Sequence, residues 1–192
     1  MMEAKIDKGF RVIFAGLGGH GALAFAELLT EAAAKKYNYV SFVPNYAPNM
    51  RGGESESMVV AANEEIDSPL WFEAETVIIT SPTAFHLAEK RVSAGGILIV
   101  DNSVVHEKAK RKDIKVFYIP ARKIASEGGE PLTANFILMG AYLEATKALP
   151  IETMEETIEF TSKGTSRERL LAANKRALHE GSRLIASYRE GV

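Results

Sequence analysis

Two glycine-rich segments contain the residues of this sequence that are best suited to bind an anion. The first, residues 16–21, fits the pattern G-x-G-x-x-G and includes the candidate residues Gly18, Gly19, His20 and Gly21. An apolar run precedes it and a segment with helical spacing of apolar residues follows it, which predicts a strand-to-helix turn. The free backbone N–H groups of such a turn can bind a phosphate or a carboxylate.

The second segment consists of Arg51, Gly52 and Gly53 in a polar loop. A guanidinium beside two conformationally free glycines can converge with backbone amides on a carboxylate or phosphate. A solvated arginine beside two turn-forming glycines explains the same pattern. His20 also has two interpretations, because its ring can help to hold an anion beside the helix amides or can simply pack.

Apolar runs alternate with helical segments through the first two thirds of the chain. The predicted strands cover residues 12–15, 39–43, 57–61, 76–80, 97–100 and 116–119. We expect Pro44 to end the second strand, and a helix from Pro82 to run through Val92 and stop at Gly95 and Gly96.

The last third has only helical periodicity, over residues 132–149, 154–160 and 167–188. The sequence therefore predicts an α/β fold with three layers: a mainly parallel twisted sheet, helices on both faces and a helical C-terminal third. We expect a single domain over residues 1–192.

Four polar loops directly follow predicted strands, so we expect them to share one edge of the sheet. They are residues 16–21, 45–55, 81–82 and 101–103. Ligands of open α/β sheets gather at that edge, which makes these loops the candidate site.

Composition excludes several classes of function. A formal net charge of −2 gives no electrostatic reason to expect nucleic acid as a partner. The chain has no cysteine, and its four histidines lack metal-ligand spacing, so we expect neither disulfides, nor cysteine-ligated clusters, nor a metal site. No apolar stretch reaches the length of a membrane span or resembles a signal peptide, which predicts a cytoplasmic protein with no membrane association.

The glycine turn also raises the alternative of a free-standing Rossmann-like oxidoreductase that binds a dinucleotide. An NAD site places an acidic residue at the tip of the second strand, where it bonds the ribose. That tip is residues 43–45, Val-Pro-Asn, and it carries no acid. The missing acid argues against autonomous dinucleotide binding.

Six motifs follow one another in a recognisable order. They are residues 16–21, 46–53, 65–69, 95–103, 134–141 and 174–181. Together they resemble the gamma subunit of 2-oxoacid:ferredoxin oxidoreductases, and among these most closely the 2-oxoglutarate branch. The resemblance runs from residue 11 to residue 181, and a beta-type subunit of indolepyruvate oxidoreductases is the alternative within it. One departure is His20, where that family commonly carries glutamine.

The resemblance implies a subunit that is inactive alone and belongs to a complex that converts a 2-oxoacid to acyl-CoA. Thiamine diphosphate, magnesium, iron–sulfur clusters and coenzyme A would act in the complex, and this chain alone would hold none of them. The implied partners are alpha, beta and ferredoxin-like delta subunits, with ferredoxin or a related protein as electron acceptor. The seven candidate residues would lie at an intersubunit face, against coenzyme A, a partner carboxylate or a packing interface.

Other polar and aromatic features keep two interpretations each. Trp71 and Phe72 are predicted as interface anchors or as core residues. Asn135 lies near a helix start, where capping is the ordinary role. Asn102 with Ser103 can bond a ligand or cap a turn, and the basic run over residues 107–113 can meet an acidic ferredoxin or remain solvated.

Overall fold

The computed structural model describes residues 9–17, 21–46 and 54–190. Within these residues, six strands form one sheet. They are β1 (Phe10–Leu17), β2 (Tyr39–Tyr46), β3 (Glu54–Ala62), β4 (Ala74–Ile79), β5 (Val92–Asp101) and β6 (Lys115–Ile119). Their order across the sheet is β2-β3-β1-β4-β5-β6.

The predicted mainly parallel α/β sheet is confirmed, with one antiparallel strand. Strands β1, β4, β5 and β6 run parallel to one another. Strand β3 is antiparallel to both β1 and β2. It therefore begins at the edge where the parallel strands end, which we call the carboxyl edge.

The helices lie on both faces, but unequally. They are α1 (Ala22–Ala33), α2 (Phe85–Lys90), α3 (Ala121–Glu127), α4 (Ala134–Thr146), α5 (Ile151–Ser162) and α6 (Leu171–Glu190). Helix α2 packs on one face of the sheet, and the other five contribute to the core on the opposite face. Among the described residues, none of these helices has both the length and the apolar content needed to cross a bilayer.

Strand β1 is apolar from Val12 to Ala15 because the sheet is covered on both faces. Val12 and Phe14 join the larger core under α1, whereas Ile13 and Ala15 join the core under α2. The alternation of side chains along the strand thus divides one apolar run between two layers.

Two predicted boundaries were wrong. Strand β2 continues through Pro44 to Tyr46, because β2 is the outermost strand and an edge position tolerates the missing N–H. The helix predicted to run through Val92 ends at Lys90 in the structure, and β5 already begins at Val92. Gly96 allows this early start: a Cβ there would lie 2.7 Å from the Glu75 carbonyl oxygen on β4.

The helical C-terminal third is held by a close crossing of α4 and α6. A Cβ at Gly140 would lie 1.8 Å from the Leu178 carbonyl oxygen. A Cβ at Gly181 would lie 1.8 Å from the Ile137 carbonyl oxygen. The two helices therefore touch backbone to backbone.

Candidate functional site

The two glycine-rich segments extend from neighbouring strands at the carboxyl edge. In the β1–β3 ladder, Leu17 lies opposite Glu54 and Gly16 lies opposite Ser55. The Ser55 hydroxyl donates to the Gly16 carbonyl oxygen at 3.3 Å. The last residues before one loop and the first residues after the other are thus joined side by side.

Most of the predicted site residues lie outside the described part of the chain. These are Gly18, Gly19, His20, Arg51, Gly52 and Gly53. The register of β1, β2 and β3 places the strand residues that flank both loops at the carboxyl edge. The role of these six residues as a site stays a prediction.

Gly21 is the one described member of the predicted set. Its φ of 80° and ψ of 18° are left-handed, a conformation that glycine adopts without steric cost. Its carbonyl oxygen accepts the first helical hydrogen bond, from the Phe25 N–H at 2.9 Å. The first turn of α1 contains no acidic side chain, so its positive end is available to an anion.

Asn135, the second residue of α4, lies directly against Gly21. A Cβ at Gly21 would be 1.6 Å from the Asn135 side-chain nitrogen. The N-cap position of α4 is Thr133, without a side-chain capping bond. The capping role expected for Asn135 is therefore wrong, and an amide side chain meets the glycine turn instead.

Two buried polar residues lie at the carboxyl ends of the neighbouring strands β4 and β5. Ile79 lies opposite Val100 in the parallel ladder, so Thr80 and Asp101 come next to each other. The Thr80 hydroxyl and the Oδ2 atom of Asp101 are buried with no hydrogen-bond partner among the described residues. Leaving such a group unsatisfied costs about 1–3 kcal/mol.

The turn after β5 shows which of its two predicted roles Ser103 has. The Asp101 Oδ1 atom accepts the Ser103 N–H at 3.1 Å, and Oδ2 lies 3.7 Å from the Arg122 Nε atom. The Ser103 hydroxyl accepts the backbone N–H of Lys123 at 3.1 Å. Ser103 therefore serves the turn and the start of α3.

A buried ion pair lies beneath the edge, on the α2 face. The Arg91 guanidinium pairs with Glu56, and its Nε donates to the Phe72 carbonyl oxygen at 2.8 Å. A cavity of about 280 Å³ adjoins this pair and reaches Asn45 and Ser55, at the two ends of the 47–53 loop. No motif identified this pair, because it joins strand β3 to the end of α2.

A larger cavity, of about 1210 Å³, lies at the opposite edge of the sheet, between the amino ends of the strands and α4. Its lining includes the buried Tyr142, whose hydroxyl has no hydrogen-bond partner among the described residues. Burial raises the pKa of the Tyr142 phenol well above its ordinary value. Gly9, Gly95 and Gly96 also line this cavity, at the edge opposite to the two glycine-rich segments.

The remaining open features are now placed. Trp71 is half-buried against the smaller core, and Phe72 is exposed. The basic run is an irregular segment tied to α2, because the Glu89 carboxylate accepts the Arg111 N–H at 2.7 Å. Within the described ranges, no group of three His, Asp or Glu side chains could hold a metal ion.

The sequence matches the family described as pyruvate ferredoxin/flavodoxin oxidoreductase over residues 11–184. It is 31% identical to the 2-oxoglutarate synthase subunit KorC of Methanocaldococcus jannaschii over 179 residues, which cover 91% of this chain and 96% of KorC. It is 28% identical to the ketoisovalerate oxidoreductase subunit VorA of Methanothermobacter marburgensis, with 90% of this chain covering 36% of VorA.

A solved structure has the same fold. The gamma subunit of a keto/oxoacid ferredoxin oxidoreductase from Geobacter sulfurreducens aligns with a TM-score of 0.77 at 20% identity, covering 93% of this chain and 99% of the Geobacter chain. This likeness extends to the helical C-terminal third as well as the sheet.

Proposed function

Since the chain belongs to the pyruvate ferredoxin/flavodoxin oxidoreductase family and is the gamma-type subunit of a 2-oxoacid oxidoreductase, we propose that it forms one wall of an active site shared with other subunits. The proposed complex oxidises a 2-oxoacid, with 2-oxoglutarate as the substrate in line with the KorC relative, and passes electrons to ferredoxin or a related acceptor. We further propose that residues 1–192 form a single domain and that the complex is cytoplasmic.

The observation that carries this proposal is the pairing of the strands that flank the two loops at the carboxyl edge. Leu17 lies opposite Glu54, so the residue before the first loop and the residue after the second are neighbours, and α1 begins at Ala22 just after the first loop. That arrangement suits an anion held by backbone amides and by Arg51. The role that we propose for this edge is to bind and orient the ligand.

Coenzyme A is the ligand that we propose for this wall. The unpaired Thr80 hydroxyl and the amide of Asn135 beside Gly21 fit a ligand with phosphate, hydroxyl and amide groups. When bound, coenzyme A supplies the thiol that accepts the acyl group. The chain's own residues would position its anionic part, while alpha, beta and delta subunits would supply thiamine diphosphate, magnesium and the iron–sulfur clusters.

The sheet order argues against the rival dinucleotide enzyme. In a dinucleotide-binding fold the parallel second strand lies next to the first and carries the ribose-binding acid. Here the antiparallel β3 separates β2 from β1. Calorimetric titration of the isolated chain with NAD(H) and NADP(H) tests the rival, and we expect no binding.

Steady-state kinetics of the reconstituted complex test the proposed role of Arg51. We expect Arg51→Ala to raise the KM for coenzyme A roughly tenfold to a hundredfold, since a charge-assisted hydrogen bond contributes about 1.5–3 kcal/mol. The matched control is Arg183→Ala, on the exposed face of α6. An unchanged KM and kcat in Arg51→Ala would mean that the loop serves assembly alone.

The substrate is tested in the same complex, with 2-oxoglutarate, pyruvate, branched-chain oxoacids and indolepyruvate as alternatives. We expect the highest kcat/KM with 2-oxoglutarate. A preference for indolepyruvate would assign the chain to the beta-type subunits of that branch.

A further inference from the structure

Three large apolar side chains are exposed on the segments that pack on the α2 face of the sheet. Leu70 and Phe72 lie just before β4 and are 64% and 61% exposed, and Leu87 on α2 is 53% exposed. Arg91 links Phe72 to Leu87: its Cζ atom is 5.6 Å from the Phe72 ring centroid, and Arg91 and Leu87 line the same cavity. We call Leu70, Phe72 and Leu87 the α2-face patch.

The patch is held rigidly from below. The Arg91 side chain is only 8% exposed, pairs with Glu56 and donates to the carbonyl oxygens of Trp71 and Phe72 at 3.4 and 2.8 Å. Trp71 packs between the two exposed residues against the smaller core. Exposed apolar side chains that are already ordered lose little entropy when a partner covers them, which is typical of interface anchors.

A cavity beside the patch offers room for a side chain of a partner. Leu87 and Arg91 line the cavity of about 280 Å³ described above, together with Asn45 and Ser55. That volume is several times the roughly 30 Å³ that one water occupies. The patch is therefore continuous, through this cavity, with the ends of the 47–53 loop.

The α2 face is also the less covered face. Among the described helices, only the six-residue α2 packs on it, against five helices on the other face. Sheets of mainly parallel strands are normally covered on both faces. A further layer on the α2 face would complete the pattern.

We propose that the α2-face patch docks the subunit that corresponds to the unmatched part of VorA. This chain matches only 36% of VorA, so in that relative the equivalent domain is covalently joined to the remainder of the chain. Permanent association favours large, apolar interfaces, which is the chemistry of the patch. The inference rests on the proposed function and names the contact surface that the function requires.

The test compares two double variants of the full chain in their binding to the proposed partner subunit. The purified chain is titrated by biolayer interferometry against the subunit, from the same genome, that is similar to the unmatched part of VorA. Phe72→Ser with Leu87→Ser should weaken association at least about 30-fold, the effect of losing one interface hot spot. The matched control is Phe160→Ser with Leu132→Ser, two side chains with 80% and 72% exposure outside the patch, which should leave the Kd within about threefold.

Each outcome of this comparison either supports or overturns the docking proposal. Equal melting temperatures of the two variants, with only the patch variant binding weakly, support the docking surface. Wild-type affinity in the patch variant overturns it while leaving the proposed function intact, and absence of binding by the wild-type chain overturns both. If sedimentation shows a wild-type dimer that only the patch variant loses, the occupant is a second copy of this chain and the proposal is wrong.

Discussion

Gly21 and Asn135 are in contact at the carboxyl edge, although one belongs to the first helix turn and the other to the start of α4. The space that a side chain at position 21 would need is occupied by the Asn135 amide. The same glycine has a φ of 80°. Glycine at this position is thus required both by the backbone conformation and by the neighbour it meets.

Gly21→Ala should destabilise the fold more than the matched variant Gly129→Ala. Both positions have positive φ, which costs an L side chain about 1–2 kcal/mol. Only at Gly21 must a neighbouring side chain also leave its rotamer, which adds about 0.5–1.5 kcal/mol. Urea unfolding measures the difference, and adding Asn135→Ala to Gly21→Ala should remove it; if the two single variants are equally stable, the contact is unimportant for stability.

Gly181→Ala should destabilise the chain although alanine favours helices. Helix propensity alone would stabilise by about 1 kcal/mol. The new Cβ would instead press on the Ile137 carbonyl, and overpacking of this kind costs about 1–3 kcal/mol. The sign of the change in the free energy of unfolding therefore separates the two effects, with Ala172→Ser on the exposed side of α6 as a control expected within about 0.5 kcal/mol.

Arg91→Met should lower the free energy of unfolding by about 3–5 kcal/mol, because it leaves the largely buried Glu56 carboxylate without its partner. Combining it with Glu56→Leu should recover most of the loss, since two apolar side chains can replace a buried pair. Chemical denaturation provides both values. The surface pair offers the comparison: Arg183→Met, which removes a bridge to Glu180, should cost no more than about 1 kcal/mol.

Tyr142→Phe should extend stability at high pH. The phenol of an unfolded chain titrates near its ordinary value, whereas burial raises the pKa of Tyr142 in the folded protein. Stabilisation from the neutral phenol is therefore complete below about pH 10 and lost as the pH rises further. Alkaline unfolding followed by circular dichroism should move to higher pH in the variant.

At neutral pH the same variant should be at least as stable as the wild type, because the buried Tyr142 hydroxyl has no hydrogen-bond partner within the described structure and its removal ends that cost. Tyr37→Phe is the matched change. Its hydroxyl donates to the Ala148 carbonyl oxygen at 3.1 Å, and its loss should cost about 1 kcal/mol. Equal losses in both variants would show that the Tyr142 hydroxyl does have a partner.

The sequence allowed the sheet, the helical C-terminal third and the shared edge of the loops to be predicted, because apolar runs and glycine turns are local signals. The direction of β3 was not predictable in this way, since a strand pattern is the same in either direction. Pro44 misled for a related reason: proline ends an inner strand but is tolerated on an edge, and edge position depends on the whole sheet.

The contacts that shape the candidate site were less accessible to sequence reasoning. Asn135 meets Gly21, and Arg91 meets Glu56, only because distant segments pack together. Neither pair leaves a spacing signal in one sequence. The family resemblance identified the function, because it depends on the order of many weak motifs. Local chemistry alone left two interpretations for the candidate anion-binding residues.

The glycine crossing of α4 and α6 has a mechanical consequence. Helices in backbone contact at Gly140 and Gly181 cannot slide or rotate past each other without collision, so they form one rigid unit. This unit comprises the long helix α6 and helix α4, which carries Asn135 against Gly21. A displacement of α6 would therefore act on the Asn135 side chain that contacts Gly21.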